Sequence, residues 1–393
     1  MRERFGMAIA RHVGIARKKG SGVAGSDTFA MNLRTGPGRG LPTKYETLLR
    51  RAGFDDLDLQ KKFVAIKLHF GEPGNLAFIR PNYAATTAAM IRAAGGAPFA
   101  TDANSLYTGR RGNAVDHLLA ASENGFNRLV LGCDVIIADG LKGTEYREVV
   151  INQRHFRTAR IASAVADADV VVSLSHFKGH ELTGIGGAIK NLGMGCGSRV
   201  GKLEMHSSSK PKIVTESCKS CGECIKSCPQ EAIHWNLDSH KAEIDYDRCI
   251  GCGQCIAMCQ YGAAQAIFNE SGVNAGEKIA EYALGVVKDK PCLHVNFITD
   301  VAPFCDCWSY NDTALVADIG ILASRDPVAL DRACVDMVNS APLSPGSILD
   351  GRGLAPGDDK FSSVHPNTNW QAGLDYAESI GLGSQQYNLV VVT

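Results

Sequence analysis

The chain has 393 residues, of which 45% are hydrophobic and 21% charged, and its 41 basic side chains balance 41 acidic ones. This composition is typical of a globular protein with about two to three domains, and it lacks the basic excess with which proteins bind nucleic acid. No apolar run reaches the roughly eighteen residues needed to cross a bilayer. We therefore expect a cytoplasmic protein that binds no nucleic acid and has no membrane span.

Residues 1–27 are predicted to be a basic N-terminal extension. The first twenty residues carry six basic side chains and one acidic one, without the continuous apolar stretch of a secretory signal. We interpret this segment as loosely ordered, and a targeting or partner-binding role is the alternative.

Beyond the extension, short β-branched runs alternate with segments of helical periodicity. We predict strands at 62–70, 133–140 and 166–177, with helices at 83–96 and 114–125 between them. After residue 270 the predicted order is helix, strand, strand, helix and strand, at 276–288, 292–299, 314–318, 327–338 and 387–392. This alternation predicts an α/β fold with a largely parallel sheet and helices on both faces. We expect the late strands to rejoin the first sheet, so that 28–212 and 271–393 form one discontinuous α/β domain.

Eight of the 14 cysteines follow one spacing, C-x-x-C-x-x-C-x-x-x-C, which occurs twice. Three cysteines at intervals of three can hold three corners of a cubane cluster, while the fourth reaches the other cluster. We therefore assign two [4Fe–4S] clusters, one to Cys218, Cys221, Cys224 and Cys259 and the other to Cys249, Cys252, Cys255 and Cys228. A pair of zinc sites is the alternative, although zinc needs four ligands per site and no additional C-x-x-x-C step.

The segment 213–270, which contains both cysteine sets, resembles the bacterial two-cluster ferredoxins. Alternating apolar residues between the two sets predict a β-hairpin that covers the clusters. Gln260 follows the second set where Pro229 follows the first. Acidic side chains outnumber basic ones here, so a redox partner, whether electron donor or acceptor, should present a basic docking face. Such clusters also predict an oxygen-sensitive protein suited to anaerobic conditions.

Polar side chains follow several predicted strands at the point where each strand ends. His69, Asp102, Asp139 and His176 all occupy such positions. The carboxyl ends of parallel strands form the ligand-binding edge of an α/β sheet, so we predict that these four side chains are catalytic. For each residue alone, a role as turn residue or helix cap is the alternative.

The segment 175–195, SHFKGHELTGIGGAIKNLGMG, contains six glycines. Gly184, Gly186 and Gly187 permit a tight turn whose backbone N–H groups approach a ligand or cofactor closely. The segment has neither the G-x-G-x-x-G order nor the Walker ending of known phosphate-binding loops. We predict that these glycines bind a cofactor together with Lys190.

His180, Lys190 and His206 are the remaining predicted catalytic residues. A histidine exchanges a proton near neutral pH or binds a metal, and a lysine withdrawn from water acts as an acid, a nucleophile or an anion anchor. The alternative is that both histidines are hydrogen-bonded loop residues and that Lys190 pairs with Glu181 or Glu204.

The other six cysteines divide into two groups. Three fall in apolar segments and are predicted to be small buried side chains: Cys133, Cys292 and Cys334. Cys196, Cys305 and Cys307 lie in predicted loops, where thiolates bind a metal or exchange electrons. Two cysteines one residue apart, such as Cys305 and Cys307, are poorly placed to form a mutual disulfide.

Five motifs resemble the family known as domain of unknown function 362 with an inserted ferredoxin, over about residues 28–393. They are VAIKLHFGEPGN, FATDANSLYTGRRGNAVDH, SHFKGHELTGIGGAIKNLGMGCGSRVGKLEMH, FCDCW and DIGILASRDPVALD. This resemblance implies the α/β fold and the iron–sulfur clusters but no particular reaction.

The spacing of His180, Lys190 and His206 is similar to that of the lactate racemase family, whose members bind a nickel-pincer nucleotide cofactor. The resemblance implies that Lys190 holds such a cofactor covalently and that His206 ligates its nickel. An additional metal or organic cofactor is therefore expected near Lys190 and His206.

Together these features predict an iron–sulfur oxidoreductase. Its ferredoxin module would pass single electrons to a site in the α/β domain that holds an unknown small molecule. Two alternatives are a non-redox racemase-like or metallocofactor-handling enzyme with structural clusters, and a pure electron-transfer or partner-binding protein.

Overall fold

The computed structural model describes residues 25–106, 109–207, 210–249, 253–267 and 269–393. Most of the predicted N-terminal extension and the predicted cluster ligand Cys252 therefore lie outside the described residues.

The described residues contain sixteen strands and thirteen α-helices. The strands are β1 (Ser26–Met31), β2 (Phe63–Lys67), β3 (Ala97–Asp102), β4 (Asp134–Ile137), β5 (Tyr146–Val150), β6 (Thr158–Ala162), β7 (Val170–His176), β8 (Lys178–His180), β9 (Gly184–Gly186), β10 (Lys212–Ile213), β11 (Ile233–Trp235), β12 (Ala242–Ile244), β13 (Ala264–Gln265), β14 (Cys292–Ile298), β15 (Gly320–Ser324) and β16 (Tyr387–Val391). The helices are α1 (Leu41–Arg51), α2 (Pro81–Ala93), α3 (Ala114–Glu123), α4 (Arg128–Leu131), α5 (Ser163–Asp167), α6 (Ala188–Cys196), α7 (Arg199–His206), α8 (Glu223–Lys226), α9 (Gln254–Met258), α10 (Gly272–Val287), α11 (Pro327–Ser340), α12 (Lys360–Val364) and α13 (Trp370–Ser379).

Eight of these strands form one sheet in the order β16-β1-β15-β14-β7-β2-β3-β4. Neighbouring strands are parallel except at β15, which runs antiparallel to both β1 and β14. The prediction of a largely parallel sheet that the late strands rejoin is therefore confirmed.

The sheet is buried on both faces, as the near-continuous apolar runs of its central strands predict. In β7, Val170, Val172 and Leu174 pack into the hydrophobic cluster on one face, where α1 and α2 lie. Val171 points to the opposite face and packs with residues of α6, α10 and α11. The structure is thus a three-layer α/β fold with helices on both sides of the sheet.

The strand predicted at 314–318 is wrong. Leu315 and Val316 are buried, but Val316 makes only an isolated bridge with Leu343. The sheet strand is β15 instead, which begins at Gly320, where a Cβ atom would lie 2.1 Å from the carbonyl oxygen of Met31. The apolar run at 314–318 therefore packs beside the sheet, because burial alone does not distinguish a strand from a packed loop.

Residues 212–265 form a small separate unit whose two ends meet. Strand β10 pairs antiparallel with β13, with Lys212 opposite Gln265. The hairpin predicted between the cysteine sets is present as β11 and β12, with Ile233 opposite Ile244. The unit has its own hydrophobic cluster, which Leu203 of α7 joins from the α/β domain.

Candidate functional site

The strand order reverses between β2 and β7. The chain proceeds from β2 through β3 to β4 on one side, whereas β7 and β14 lie on the other side. In open α/β sheets, ligands bind beyond the carboxyl ends of the strands at such a switch point. Lys67, Asp102 and His176 are the last residues of β2, β3 and β7 and therefore converge there.

A small pocket of about 60 Å³, partly open to solvent, lies at this switch point. Its lining contains five of the seven predicted catalytic residues, namely His69, Asp102, His176, Lys190 and His206. It also contains four other cationic side chains, Lys67, Arg111, Lys178 and Lys202, together with Cys307. The predicted residues Asp139 and His180 lie behind this lining.

Lys67 and Asp102 form a buried ion pair at one end of the pocket. The Lys67 Nζ atom lies 3.0 Å from Asp102 Oδ1, and both side chains are at most 3% exposed. Burial alone would raise the pKa of Asp102, but Lys67, His69, His117 and Arg111 outweigh this effect and hold it below its ordinary value. Asp102 is therefore a permanent anion whose partners fix its position.

His69 presents a proton donor to the pocket. Its Nδ1 atom accepts a hydrogen bond of 2.9 Å from the Gly71 N–H, so the ring proton lies on Nε2. This buried Nε2 atom has no hydrogen-bond partner among the described residues. Burial, followed by the charge of Arg111, lowers the pKa of His69 well below its ordinary value. The ring is thus a neutral donor whose partner must come from a ligand or water.

Asp139 is buried outside the pocket and acts on the loop after β3. Its Oδ1 atom accepts hydrogen bonds of 2.9 and 2.8 Å from the backbone and side-chain nitrogens of Asn104. Burial raises the pKa of Asp139 to about 6, although Lys202 and these hydrogen bonds oppose the rise. Asp139 consequently positions the loop that carries the pocket wall and touches no ligand in the pocket.

His176 holds the loop that contains the FCDCW motif. Its Nδ1 atom lies 2.8 Å from Asp306 Oδ1, and its Nε2 atom lies 2.9 Å from the carbonyl oxygen of Thr299. Lys178 Nζ donates to the other oxygen of Asp306 at 3.0 Å. Because both ring nitrogens of His176 are engaged with acceptors, its role in this geometry is to position Asp306 and the cysteines on either side.

Cys305 is the centre of a cluster of donors that also includes Lys190 and His180. Lys190 Nζ donates to the Cys305 sulfur at 2.9 Å. The Cys307 thiol donates to the same sulfur at 2.8 Å. His180 accepts from the Thr183 N–H at Nδ1, and its side chain helps to lower the pKa of the Cys305 thiol. Cys305 is fully buried.

These donors favour the thiolate form of Cys305. Burial by itself would raise the pKa of the Cys305 thiol, but the hydrogen bond from Cys307 and the charge of Lys190 hold it well below its ordinary value. Burial correspondingly opposes the charge on Lys190, but Cys305 and Cys307 keep its pKa above the ordinary value. A protonated amine paired with sulfur does not fit the covalent cofactor attachment that the lactate racemase resemblance implies for Lys190.

Helix α7 contributes Lys202 and His206 to the opposite wall. Lys202 Nζ donates to the Gly197 carbonyl oxygen at 2.6 Å, and burial lowers its pKa to about 8 against the opposing charge of Asp139. Burial also lowers the pKa of His206 to about 3, assisted by His180 and Lys190. This wall therefore offers one amine that titrates near neutral pH and one neutral imidazole.

The predicted glycine cradle is occupied by the protein itself. The N–H groups of Ala188 and Ile189 at the start of α6 donate to the Asp331 carboxylate at 2.7 and 3.0 Å. A Cβ atom at Gly187 would lie 2.3 Å from Asp331 Oδ1. Gly184, with φ of +78°, packs instead against Trp370. The glycines thus serve close packing, and these N–H groups are engaged by Asp331.

The two cysteine repeats of the 212–265 unit fold alike. Gly222 and Gly253 occupy equivalent positions with φ of +77° and +72°. The N–H of Ala232 donates to Cys228 Sγ at 3.2 Å, and the equivalent N–H of Ala263 donates to Cys259 Sγ at 3.3 Å. Each repeat therefore turns its fourth cysteine in the same way.

Two pockets lie in this unit, and each draws cysteines from both repeats. The first, of about 20 Å³, is lined by Cys218, Cys221, Cys224 and Cys259. The second, also of about 20 Å³, is lined by Cys228, Cys249 and Cys255 among the described residues. No group of three described His, Cys, Asp or Glu side chains has the arrangement of a single-ion metal site.

Of the four remaining cysteines, Cys133, Cys196 and Cys334 are buried, whereas Cys292, which was predicted to be buried, is partly exposed. Burial raises the pKa of Cys196 to about 11 and of Cys292 to about 12, and it raises those of Cys133 and Cys334 as well. None of these four lines the pocket at the switch point. They are thiols whose surroundings disfavour the reactive form.

Fold and pocket together define an α/β protein with a ligand pocket at a topological switch point. The sequence matches the family described as domain of unknown function, DUF362, over residues 64–336. The chain belongs to the DUF362 family.

Similarity to individual proteins is more limited. A thylakoid-associated protein of Synechocystis is 29% identical over 124 residues, which cover 32% of this chain and 35% of that protein. The lactate racemase apoprotein from Thermoanaerobacterium thermosaccharolyticum aligns with a TM-score of 0.34 and 13% identity, over 70% of this chain and 51% of that chain. A protein from Thermotoga maritima aligns with a TM-score of 0.34 and 10% identity, over 67% and 52% respectively. The matched parts thus span about a third of the curated relative and about half of each solved structure.

Within the described part of the chain, no helix combines the length and apolarity needed to traverse a membrane.

Proposed function

We propose that this protein is an iron–sulfur oxidoreductase that exchanges single electrons between two [4Fe–4S] clusters and a small molecule in the switch-point pocket. The clusters would be held in the two cysteine-lined pockets of the 212–265 unit. Three features support the proposal. They are the cysteine pockets, the helix α7 that lies between the cysteine unit and the switch-point pocket, and the polar lining of the switch-point pocket.

The cysteine pockets bring together seven of the eight predicted cluster ligands, and the eighth, Cys252, lies outside the described residues. Cys218, Cys221 and Cys224 from one repeat meet Cys259 from the other, which is the crossed arrangement of two-cluster ferredoxins. Backbone N–H groups already point at the Cys228 and Cys259 sulfurs, and hydrogen bonds to the sulfurs are among the factors that set cluster potentials. When bound, the clusters supply single electrons.

The observation that carries the proposal is that α7 is shared between the two sites. Lys202 and His206 line the switch-point pocket, while Leu203 packs in the hydrophobic cluster that contains Cys224 and Cys255. An α-helix with its side chains is about 10–12 Å across. The cysteine unit and the pocket are therefore separated by about one helix.

The pocket itself can bind and protonate a small polar molecule. His69 Nε2 offers a neutral N–H donor. Lys202, with a pKa of about 8, can release or take up a proton near neutral pH, as a reduction by electrons requires of its surroundings. Lys67 and Asp102 are locked in their ion pair and orient the wall between these groups.

The redox partner would dock on the cysteine unit. Exposed carboxylates surround the unit at Glu216, Glu231, Asp238, Glu243 and Asp247. Opposite charges steer association, so a partner with a basic face is expected, with association that slows as salt rises.

The test is donor-dependent turnover by anaerobically prepared protein. Reduced methyl viologen should be oxidised only when the protein and a fractionated pool of small metabolites are both present. The Cys259→Ser variant should lose this activity while its circular dichroism stays unchanged. Protein that carries both clusters and yet oxidises no donor with any fraction would refute the proposal.

A second candidate is a non-redox racemase-like reaction. The observation that favours it is that His180, Lys190 and His206 gather around one buried sulfur, since all three interact electrostatically with Cys305. Histidine and lysine are suitable groups for moving a proton at a carbon centre. Turnover of a pool component in the absence of any electron donor, with equal activity in Cys259→Ser, would select this candidate.

A further inference from the structure

The FCDCW motif brings two sulfurs together that the sequence spacing appeared to keep apart. Cys305 Sγ and Cys307 Sγ lie 2.8 Å from each other. A disulfide bond is about 2.05 Å long, so the two sulfurs are in near contact and no disulfide joins them. The turn that achieves this is closed by the Trp308 N–H, which donates to the Cys305 carbonyl oxygen at 3.2 Å.

The turn is held in this shape from outside. Asp306, between the two cysteines, is fixed by His176 at 2.8 Å and by Lys178 at 3.0 Å. The backbone N–H of Cys305 donates to Glu181 Oε1 at 3.2 Å. Neither cysteine can move far without breaking a buried ion pair, so the closeness of the sulfurs is imposed by the fold.

The two cysteines differ in access. Cys305 is fully buried, and its sulfur receives hydrogen bonds from Lys190 and Cys307. Cys307 is partly exposed and lines the switch-point pocket. A reactant in the pocket therefore meets Cys307 first, and Cys305 can reach only what is already attached to Cys307.

We propose that Cys305 and Cys307 are a redox-active dithiol that reduces a small-molecule disulfide bound in the switch-point pocket. The Cys307 sulfur attacks one sulfur of the substrate, the substrate S–S bond breaks, and the first half leaves as a thiol with the proton that the cysteine pair carried. The Cys305 thiolate then attacks Cys307 Sγ in the mixed disulfide, forms the Cys305–Cys307 bond, and releases the second half as a thiolate. The cysteine pair loses two electrons and the substrate gains them.

This inference goes beyond the proposed electron transfer, because the exchange requires only the two cysteines and the disulfide. A low-molecular-weight thiol in the medium restores the dithiol by the same exchange in reverse. Lys190 is a positioning residue in this scheme, since its ammonium stabilises the Cys305 thiolate and touches no substrate atom.

The test uses the full chain in anaerobic buffers of 2-mercaptoethanol and 2-hydroxyethyl disulfide at graded ratios. The protein is quenched with acid, alkylated, digested and mapped by mass spectrometry. In the unaltered protein, the peptide containing Cys305 and Cys307 should lose two hydrogens in a single reversible transition. In Cys305→Ser, Cys307 should instead accumulate a mercaptoethanol adduct. In Cys307→Ser, Cys305 should react more slowly by at least about tenfold, because it is buried.

Cys133→Ala is the matched control, because Cys133 is also buried and lies in the cluster on the other face of the sheet. It should leave the two-hydrogen transition unchanged. The proposal is overturned if Cys305 and Cys307 remain alkylatable at every ratio, or if Cys305→Ser traps no adduct. The unaltered protein alone decides the first outcome, even if a variant fails to fold.

Iron and sulfide measured on the same samples separate this inference from the proposed function. Both clusters without any dithiol transition would leave the electron-transfer proposal standing and reject this one. A complete dithiol transition in protein that cannot bind iron would support this inference and reject the electron-transfer proposal.

Discussion

The buried ion pair between Lys67 and Asp102 gives the sharpest prediction about the pocket. Changing Lys67 to Met keeps the apolar stem of the side chain but removes the ammonium. Asp102 would then retain the Ala103 N–H, which donates to its Oδ1 at 2.9 Å, and the more distant His117 and Arg111, whose nearest nitrogens lie 3.8 and 4.0 Å from Oδ2. Asn191 Oδ1 would also lose its 2.8 Å hydrogen bond from Lys67.

The expected cost follows from the distance and the burial. At 3.0 Å and an effective dielectric constant of about 20, the gross attraction in the pair is about 5–6 kcal/mol. Removing one partner of a buried pair costs about 3–5 kcal/mol, because the other charge remains buried. We therefore expect Lys67→Met to lower the free energy of unfolding by about 3–5 kcal/mol.

A double-mutant cycle measures this coupling by urea denaturation at pH 7. Asp102→Asn alone should also destabilise the protein, whereas the double variant should lose clearly less than both single losses combined. The exposed pair Arg147 and Asp167 is the control, because its atoms also lie 3.0 Å apart while its side chains are more than half exposed. Its disruption should cost about 0–1 kcal/mol.

The pH dependence has a definite sign. The folded pKa of Asp102 is held below its ordinary value, so the pair contributes stability that is present above about pH 4 and is lost as the pH falls through that folded pKa. The difference between the unaltered protein and Lys67→Met should therefore be constant at neutral pH and shrink in acid. Strictly additive losses, or a Lys67→Met loss no larger than that of the Arg147 control, would refute this reasoning.

Three further predictions concern other parts of the molecule. Anaerobically prepared protein should contain about eight iron and eight sulfide per chain by the two-cubane assignment, and stoichiometric zinc without sulfide would contradict that assignment. Cys259→Ser should damage the cluster of the first repeat. Lys190→Met should raise the pKa of the Cys305 thiol, since Lys190, His180 and Cys307 face its sulfur. Alkylation of Cys305 by a small reagent in the folded protein should therefore need a higher pH, and an unchanged pH profile would show that the ammonium has no influence. Gly195→Ala should destabilise the protein by about 1–3 kcal/mol, because its Cβ would lie 2.6 Å from Lys67 Nζ. Gly373→Ala is the control and should cost little, because its Cβ would have only ordinary contacts. Equal thermal stability of the two variants would count against a fixed Lys67.

The architecture could be predicted from sequence wherever burial on both faces left a clear pattern. Strands such as β7 and β14 are uninterrupted runs of buried residues, and helix α2 begins with Pro81 and ends just before Gly95, which has φ of +82°. These local signals have local physical causes. The run at 314–318 has the same composition but packs as a loop, so composition alone misled the prediction there.

The site was only partly predictable, because its contacts join distant segments. The ends of the predicted strands identified His69, Asp102 and His176. Lys67 was not singled out because it lies within the predicted strand 62–70, whereas β2 ends at Lys67. Nothing local indicates that Lys190 meets Cys305 across 115 positions of sequence separation. The FCDCW motif was the available signal for Cys305.

The glycine segment shows why a flexible loop is weak evidence for a ligand. Gly187 does allow a close approach to the N-terminus of α6, but the group that approaches is Asp331. The glycines indicated open space beside backbone N–H donors. The Asp331 carboxylate, more than a hundred residues away in sequence, occupies that space and accepts the hydrogen bonds. Only the tertiary structure distinguishes a ligand from an internal partner.

The position of β1 has a consequence for how the chain is made. This early strand lies between β15 and β16, so both of its hydrogen-bonding neighbours come from the last part of the sequence. At about 5–20 residues per second, a ribosome needs roughly 15–60 s after completing β1 to reach β15, and longer to complete β16. During that interval both edges of β1 lack their native partners, and unpaired edges promote aggregation. Nascent chains that pause before β15 should therefore depend on chaperones far more than finished ones.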